Sequence, residues 1–202
     1  MKKYLKIISF VIIIAMVTAL FTGCGEIKKA EAAVNETITA FKELDFETAK
    51  QYIDVDDIMD TEASLSVDEE TFMENLFGKL EHKIISSEKI DGNTVVVKTE
   101  ITAVDMKPVL TEFFGMAIQY AFSKALASSQ SSEEETNKKM MEMFTECVTK
   151  DDLAMVTNEV DIKVVKTEGE WKIESDDALS DALLGGLTEA AEELSKSMNN
   201  IE

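Results

Sequence analysis

Side chains capable of catalysis or metal binding are few and scattered along this chain. His82 is the only histidine, and no serine or cysteine nucleophile can be paired with it from the spacing alone. We expect His82 at the end of a helix, where an imidazolium interacts favourably with the helix dipole. No glycine-rich phosphate loop and no paired metal-ligand spacing is present. The sequence therefore predicts no catalytic residue, no metal and no cofactor, which favours a protein that is not an enzyme.

An acid-rich stretch at 54–62 is the strongest candidate for a cation site. A calcium loop places oxygen ligands at alternate positions and a glycine at its sixth position. Counted from Asp54, the fifth position holds Ile58 and the sixth holds Met59, so neither position fits. We interpret the stretch as a capped turn or a short helix.

The two cysteines lie in different sequence settings. Cys147 lies within a helical pattern, where a lone cysteine acts as a small buried apolar residue. Cys24 follows a basic start with three lysines and an apolar run from Ile7 to Phe21. A basic start, an apolar run of about 7–15 residues and a small-residue cleavage site define a secretory signal. The run is shorter than the ~20 apolar residues of a spanning helix.

The residues that lead to Cys24 resemble a bacterial lipobox. The run is Leu20-Phe21-Thr22-Gly23-Cys24, and Phe21 stands where the motif usually has leucine. The resemblance implies that Cys24 receives diacylglycerol, with acyl chains such as palmitate, and that the signal peptide 1–23 is removed. Two acyl chains give stable anchoring. We therefore expect a lipid-anchored protein on the extracytoplasmic face of the cell membrane, with 24–30 as the lipidated cysteine and its tether.

The charge of the chain limits its partners. It has 40 Asp+Glu against 20 Lys+Arg, a formal net charge of −20, and every basic residue is a lysine. Nucleic acid is excluded because its phosphates demand cationic contacts. A cationic membrane-binding patch is also disfavoured, so the partner in the membrane is the lipid on Cys24.

The apolar periodicity predicts helices, a hairpin, a helical pair, a second hairpin and a final helix, which is an α+β domain. Asp-Gly at 91–92 favours the first hairpin because both residues accept positive φ. Serine followed three residues later by glutamate predicts capping boxes at 66–69 and 132–135. The expected helices are 27–44, 45–53, 66–81, 109–127, 132–149 and a last one from about 176, and the expected strands are 83–90, 94–106, 153–167 and 170–174.

Two features resemble the nuclear-transport-factor-2-like (cystatin-like cone) domain of uncharacterised Gram-positive lipoproteins. One is the pair of N-terminal helices, and the other is the late strand that ends in Gly169-Glu170-Trp171-Lys172-Ile173. The resemblance implies N-terminal helices packed on a curved antiparallel sheet of about four strands, with Trp171 inside a cavity. The domain would be a single unit, 31–202. Residues 107–150 depart from the family core and are interpreted as an inserted helical hairpin.

Five apolar side chains are the best candidates for binding: Phe113, Phe114, Met140, Phe144 and Trp171. Methionines suit adaptable surfaces, although they also fill irregular cores. We expect the helical pair to fold over the open side of the sheet as a lid. The favoured function is a non-enzymatic binding or envelope-interaction module with an apolar pocket for a small molecule, a peptide or an envelope protein. The alternatives are a cone-pocket enzyme and a purely structural envelope protein.

Overall fold

A four-stranded antiparallel sheet forms the centre of the fold. The computed structural model describes residues 25–55, 58, 69–127 and 132–199, and gives only the backbone at 69–72 and 198–199. The signal segment, Cys24, the first capping box and most of the acid-rich stretch lie outside the described residues. The strands follow one another in chain order: β1 (Glu81–Lys89), β2 (Thr94–Val104), β3 (Met155–Thr167) and β4 (Glu170–Ile173).

Helices lie at both ends of the sheet, so the predicted α+β class is confirmed. Residues 25–30, expected to be a tether, are already helical and form the first turns of the N-terminal helix. Helix α4 begins two residues before Pro108, which therefore still lies in the first turn, where its missing N–H costs nothing. The helices are α1 (25–42), α2 (Phe46–Ala49), α3 (Glu69–Phe77), α4 (Met106–Ala127), α5 (Glu133–Val148), α6 (Asp177–Leu183) and α7 (Leu187–Asn199).

The sheet buries one face and exposes the other to solvent, as the alternation of apolar and polar residues along the strands predicts. Val95 lies opposite Val164 and Val97 opposite Ile162, and all four are buried. On the other face Lys98 donates to a carboxylate oxygen of Glu159 at 2.7 Å. Because the register matches buried residue to buried residue, a one-residue slip would expose the whole apolar row.

Helix α1 contributes one apolar stripe to the core. Its Phe41 ring lies 5.4 Å from Phe77 of α3 and 5.9 Å from Phe46 of α2. Asp45 caps α2, since its carboxylate accepts from the backbone N–H of Thr48 at 3.1 Å. These contacts join the predicted N-terminal helices into one layer. The buried residues of α1 are Ala30, Ala33, Val34, Thr37, Ile38, Ala40 and Phe41.

The two hairpin turns use different backbone chemistry. Glu168 and Gly169 both adopt positive φ, 55° and 96°, which suits a tight hairpin. Gly92 does not, so the predicted reason for the first hairpin is wrong although the hairpin exists. There the Asp91 carboxylate accepts from the N–H of Asn93 at 2.7 Å. The aspartate side chain, rather than glycine flexibility, shapes that turn.

The predicted position of His82 at a helix end is wrong. Helix α3 ends at Phe77, and His82 is the second residue of β1, where its Nε2 lies 2.8 Å from the Asn35 Oδ1 of α1. Burial, and then the nearby Lys42 charge, lower the pKa of His82 below its ordinary value. A helix C-terminus would have raised that pKa, so the electrostatic setting is the reverse of the one expected.

Candidate interaction surface

Helices α4 and α5 form an antiparallel hairpin, as predicted. The second capping box is confirmed at the start of α5. Ser132 Oγ accepts from the N–H of Glu135 at 3.2 Å, and the Glu135 carboxylate accepts from the N–H of Ser132 at 3.2 Å. These bonds satisfy two N–H groups that the helix itself cannot pair.

The base of this hairpin is part of the protein core. The Phe113 ring lies 5.2 Å from Phe144 and 5.5 Å from Phe114. Cys147 Sγ lies 3.8 Å from Met116 Sδ, and the cysteine is 1% exposed. Burial raises the pKa of the Cys147 thiol, so it is protonated and packs as the small apolar residue predicted.

The predicted binding residues are not gathered in one place. Phe113, Phe114, Phe144 and the half-buried Met140 belong to the hairpin. Trp171 is buried on β4 opposite Lys166, whereas α4 starts beside the other end of β3, at Met155. Eleven residues of strand separate those two ends, about 35 Å at the usual rise. Trp171 therefore contributes to a separate part of the core.

The hairpin also lies elsewhere than predicted. Its helices pack mainly against each other, with α4 also against α7 and α5 against α3, rather than across the strands. The reason is the one-residue link, Asp105, between β2 and α4. The Asp105 N–H donates to the Ala154 carbonyl at 2.8 Å and the Met106 N–H to the Gly185 carbonyl at 2.9 Å. These bonds hold the base of the hairpin at the end of the sheet.

The distal half of α4 carries an apolar stripe that is largely exposed to solvent. Ile118, Phe122 and Leu126 are 64%, 66% and 72% exposed, and their spacing of four places them on one helix face. We call these three residues the α4 stripe. Apolar residues fall on every side of α4 in the sequence, which predicts that the helix pairs with α5 and does not stand alone in water. Among the described residues, α5 packs against one side of the distal half of α4, and the apolar side chains on the other side stay exposed.

Charged side chains lie at the tip of the hairpin. The first turn of α5, which follows α4 along the chain, carries the exposed Glu133, Glu134 and Glu135. Nearer the base, Lys150 pairs with Glu112 of α4, and the hydrogen bond to that carboxylate raises the pKa of Lys150. The α4 stripe is thus an apolar surface bordered by charged side chains of both signs, because Lys124, Lys138 and Lys139 lie on the same part of the hairpin as the three glutamates.

Three described clefts lie away from the hairpin tip. One of about 410 Å³ is lined by Lys50, Tyr52 and Lys172 among others, and one of about 350 Å³ by α1 and α2. The third, about 180 Å³, lies between the α4 base and α7. None of the three is lined by the five predicted binding residues. Within the described ranges, no group of three or more His, Cys, Asp or Glu side chains could hold a metal, and no helix is long and apolar enough to cross a membrane.

Comparison with known proteins places the chain in a family without assigning an activity. No curated protein matches the sequence. One solved structure is similar, that of YcdA from Bacillus subtilis subsp. subtilis str. 168, a protein provisionally assigned as a lipoprotein. The identity is 18% and the TM-score 0.38, over 63% of this chain and 36% of that one, so the chain spans about a third of that protein. Residues 28–188 match the family described as "Domain of unknown function (DUF5105)". Since that match covers most of the chain, the protein belongs to this family.

Proposed function

We propose that this protein is a lipid-anchored extracytoplasmic lipoprotein that acts as a non-enzymatic binding module, and that the α4 stripe binds its partner. The observation that carries the proposal is the exposure of Ile118, Phe122 and Leu126 on one face of a helix whose other face is packed. Large exposed apolar patches on soluble domains mark interaction sites.

The anchor is supported by the sequence before the described domain. The basic start, the apolar run and the lipobox-like residues end at Cys24, and α1 begins at the next residue. Cys24→Ala is expected to abolish lipidation and membrane retention, measured by mass spectrometry of the N-terminal peptide and by fractionation. Normal processing and retention of this variant would contradict the anchor.

The geometry of the stripe favours a helical partner. The successive intervals along the helix are three, four and three residues for Gly115, Ile118, Phe122 and Ala125. This is the spacing of a helix-packing seam. A Cβ added at Gly115 would meet nothing within 4 Å, so the backbone there is open to close approach. Small residues beside large ones form the grooves into which the ridges of another helix fit.

The net charge of the whole chain favours a partner with basic flanks. At the hairpin tip three lysines offset the three glutamates of α5, but the whole chain has a formal net charge of −20 and therefore repels anionic surfaces. Complementary charge speeds encounter and suppresses wrong partners. The proposed partner is therefore an amphipathic helix of an envelope protein, which is apolar on one face and bordered by lysine or arginine.

Photo-crosslinking in intact cells tests this proposal. A photoreactive amino acid replaces Phe122, and in a matched control it replaces the exposed Gln119 on the same helix. The expected result is a crosslink from position 122, but not from 119, to one protein. Mass spectrometry of the crosslinked peptide should place it in an amphipathic, basic-flanked helix, and Ile118→Glu in the same chain should abolish the product.

Three other outcomes would contradict the proposed partner. A crosslink to lipid would make the stripe a membrane contact, and a crosslink to a second copy of the chain would make it a self-association surface. Equal crosslinking from positions 119 and 122 would mean that the stripe confers no selectivity.

A further inference from the structure

The start of α1 is fixed to the sheet by ion pairs. The Glu26 carboxylate contacts the Lys89 ammonium at the end of β1, and its other oxygen lies 3.6 Å from Lys166 Nζ on β3. All three side chains are about 30% exposed or less. Two cations from two different strands therefore hold one carboxylate in the first turn of the helix, so this turn is joined to the sheet at two points.

The same helix is fixed to β1 further along. Ser87 Oγ donates to a Glu31 carboxylate oxygen at 2.7 Å, and the His82–Asn35 contact follows one helical turn later. The contacts advance along α1 as they go back along β1, so helix and edge strand lie side by side in opposite directions. Helix α1 therefore forms one rigid body with the sheet from its first turn.

The peptide chain leaves little distance between this rigid body and the anchoring cysteine. Glu26 is two residues after Cys24, and two residues span at most about 7 Å. A flexible linker, which would let the domain tumble above the membrane, has no room between the cysteine and the first helical turn.

We infer that the end of the sheet beside Glu26 lies against the headgroup layer of the anchoring membrane, in one fixed orientation. This inference rests on the proposed lipid anchor at Cys24. The contacting surface consists of the exposed Lys28 and Lys29 of α1 and the β1–β2 turn at Ile90, which follows Lys89 directly and is 56% exposed. Lysines face lipid phosphates, and an isoleucine at a turn enters the apolar boundary beneath them.

Charge attraction alone does not create this contact. Exposed acids lie at the same end, so they offset the lysines; they are Glu88, Asp91, Glu168 and Glu170. The short covalent connection sets the position instead, and the lysines reduce the repulsion between an acidic domain and anionic headgroups.

A fixed orientation has a consequence for the α4 stripe. The β2 strand is 11 residues long, which separates its two ends by about 35 Å. The base of the α4–α5 hairpin lies at the end away from Glu26, so it is held up to that distance above the headgroups. The hairpin would then be presented away from the anchoring lipid rather than at a variable height.

Fluorescence quenching on vesicles tests the orientation. Full-length lipidated protein in a Cys147→Ala background carries an environment-sensitive thiol dye at Ile90→Cys, and a matched control carries it at Asp152→Cys, in the exposed turn at the other end of the sheet. Vesicles contain phosphatidylglycerol and phosphatidylcholine. The expected result is blue-shifted emission and protection from aqueous iodide at position 90, with full quenching at 152.

A second variant separates the short connection from the anchor itself. A Gly-Ser insertion of about ten residues between Cys24 and Gly25 has a root-mean-square length of about 17 Å. It should leave flotation with vesicles unchanged and remove the protection at position 90.

The outcomes distinguish the orientation from the anchor. Equal iodide quenching at 90 and 152 in a protein that floats with vesicles overturns the orientation and leaves the anchor standing. Protection at 90 that survives the insertion also overturns it, because the short connection would then be irrelevant. If the protein carries no diacylglycerol on Cys24 and does not float with vesicles, both the lipid anchor and the fixed orientation are overturned.

Discussion

Trp171 fills core space but leaves its polar atom without a partner. The side chain is 6% exposed, and Lys166 Nζ lies 5.9 Å from the ring centroid. The indole N–H is buried, and among the described residues it has no hydrogen-bond partner. A buried donor left unpaired costs about 1–3 kcal/mol, so this tryptophan stabilises the fold through its ring and not through its nitrogen.

Substitution separates these two contributions. Trp171→Ala is expected to lower the free energy of unfolding by about 3–5 kcal/mol, the usual loss for a large aromatic removed from a core. Trp171→Phe keeps an aromatic ring and removes the unpaired N–H, so its cost should be much smaller. Urea denaturation of both variants measures this. An alanine variant that loses less than about 1 kcal/mol would show that the position behaves like a surface site.

The lowered pKa of His82 predicts that the stability of the fold depends on pH. The direction of that dependence follows from the direction of the pKa shift. Burial disfavours the imidazolium in the folded state, so the unfolded chain binds a proton more readily. The contribution of His82 to stability is complete above its ordinary pKa of 6.5 and is lost as the pH falls through the lower folded value.

His82→Gln isolates this contribution because glutamine can still donate to the Asn35 Oδ1 and does not titrate. Between neutral pH and the folded pKa, the wild type should lose stability on acidification relative to this variant. Thermal unfolding of both proteins across that interval is the measurement, and the difference between the curves cancels the carboxylates that they share. Parallel curves would mean that His82 is solvated in both states.

At the scale of elements, the connection between α6 and α7 carries a steric constraint. Gly185 has φ +63°, and an added Cβ would lie 1.7 Å from the Val104 carbonyl oxygen. The next residue, Gly186, has φ +78° but has open space around its missing Cβ. Gly185 allows the chain to pass the end of β2 closely enough for its carbonyl to accept from the Met106 N–H.

The two glycines form a matched pair for mutation. Gly186→Ala should cost about 1–2 kcal/mol, the penalty for a side chain at positive φ. Gly185→Ala adds a backbone clash that no rotamer can relieve, so it should cost clearly more and separate α4 from the sheet end. Chemical denaturation of both variants, with hydrogen exchange at the Met106 amide, tests this. Equal costs for the two variants would contradict the steric role of Gly185.

The elements that the sequence predicted well are those whose signal is local and repeated. Alternation in β2 and β3 carries its own register, because Val95 and Val97 meet Val164 and Ile162. The capping box at Ser132 consists of two residues that bond to each other, so it needs no tertiary information. The predicted position of His82 was wrong because the sequence marks the end of α3 only weakly. The following strand, β1, is polar enough to look like a continuation of the helix.

What the sequence could not predict is which faces meet. Phe113 and Phe144 were correctly expected on facing helices, and their rings are in contact. Their separation from Trp171 depends on the Asp105 link, which fixes α4 at one end of the sheet, and no periodicity encodes that. The exposure of Phe122 was also not predicted, because the sequence does not show whether another part of the fold covers an apolar residue.

At the scale of the whole molecule, the hairpin divides into a structural base and an exposed tip. Val109, Leu110, Met143, Cys147 and Val148 at the base are buried. Beyond Met116 on α4 and before Met140 on α5, no described side chain is fully buried. The base therefore belongs to the core, and the tip contributes little to it.

Two nested deletions test this division. Replacing 118–139 with a short glycine-containing turn removes the α4 stripe and keeps the Phe113–Phe144 and Met116–Cys147 contacts, so the protein should stay soluble and unfold cooperatively. It should also lose the crosslink expected from position 122. Deleting 107–150 removes the five buried base residues, each worth up to about 1.5–3 kcal/mol. Their sum is comparable with the whole stability margin of a domain, about 5–15 kcal/mol, so the remainder should not fold. Calorimetry and gel filtration measure both variants. An insoluble short deletion would make the stripe part of the core, and a stable, fully folded long deletion would make the hairpin dispensable to the domain.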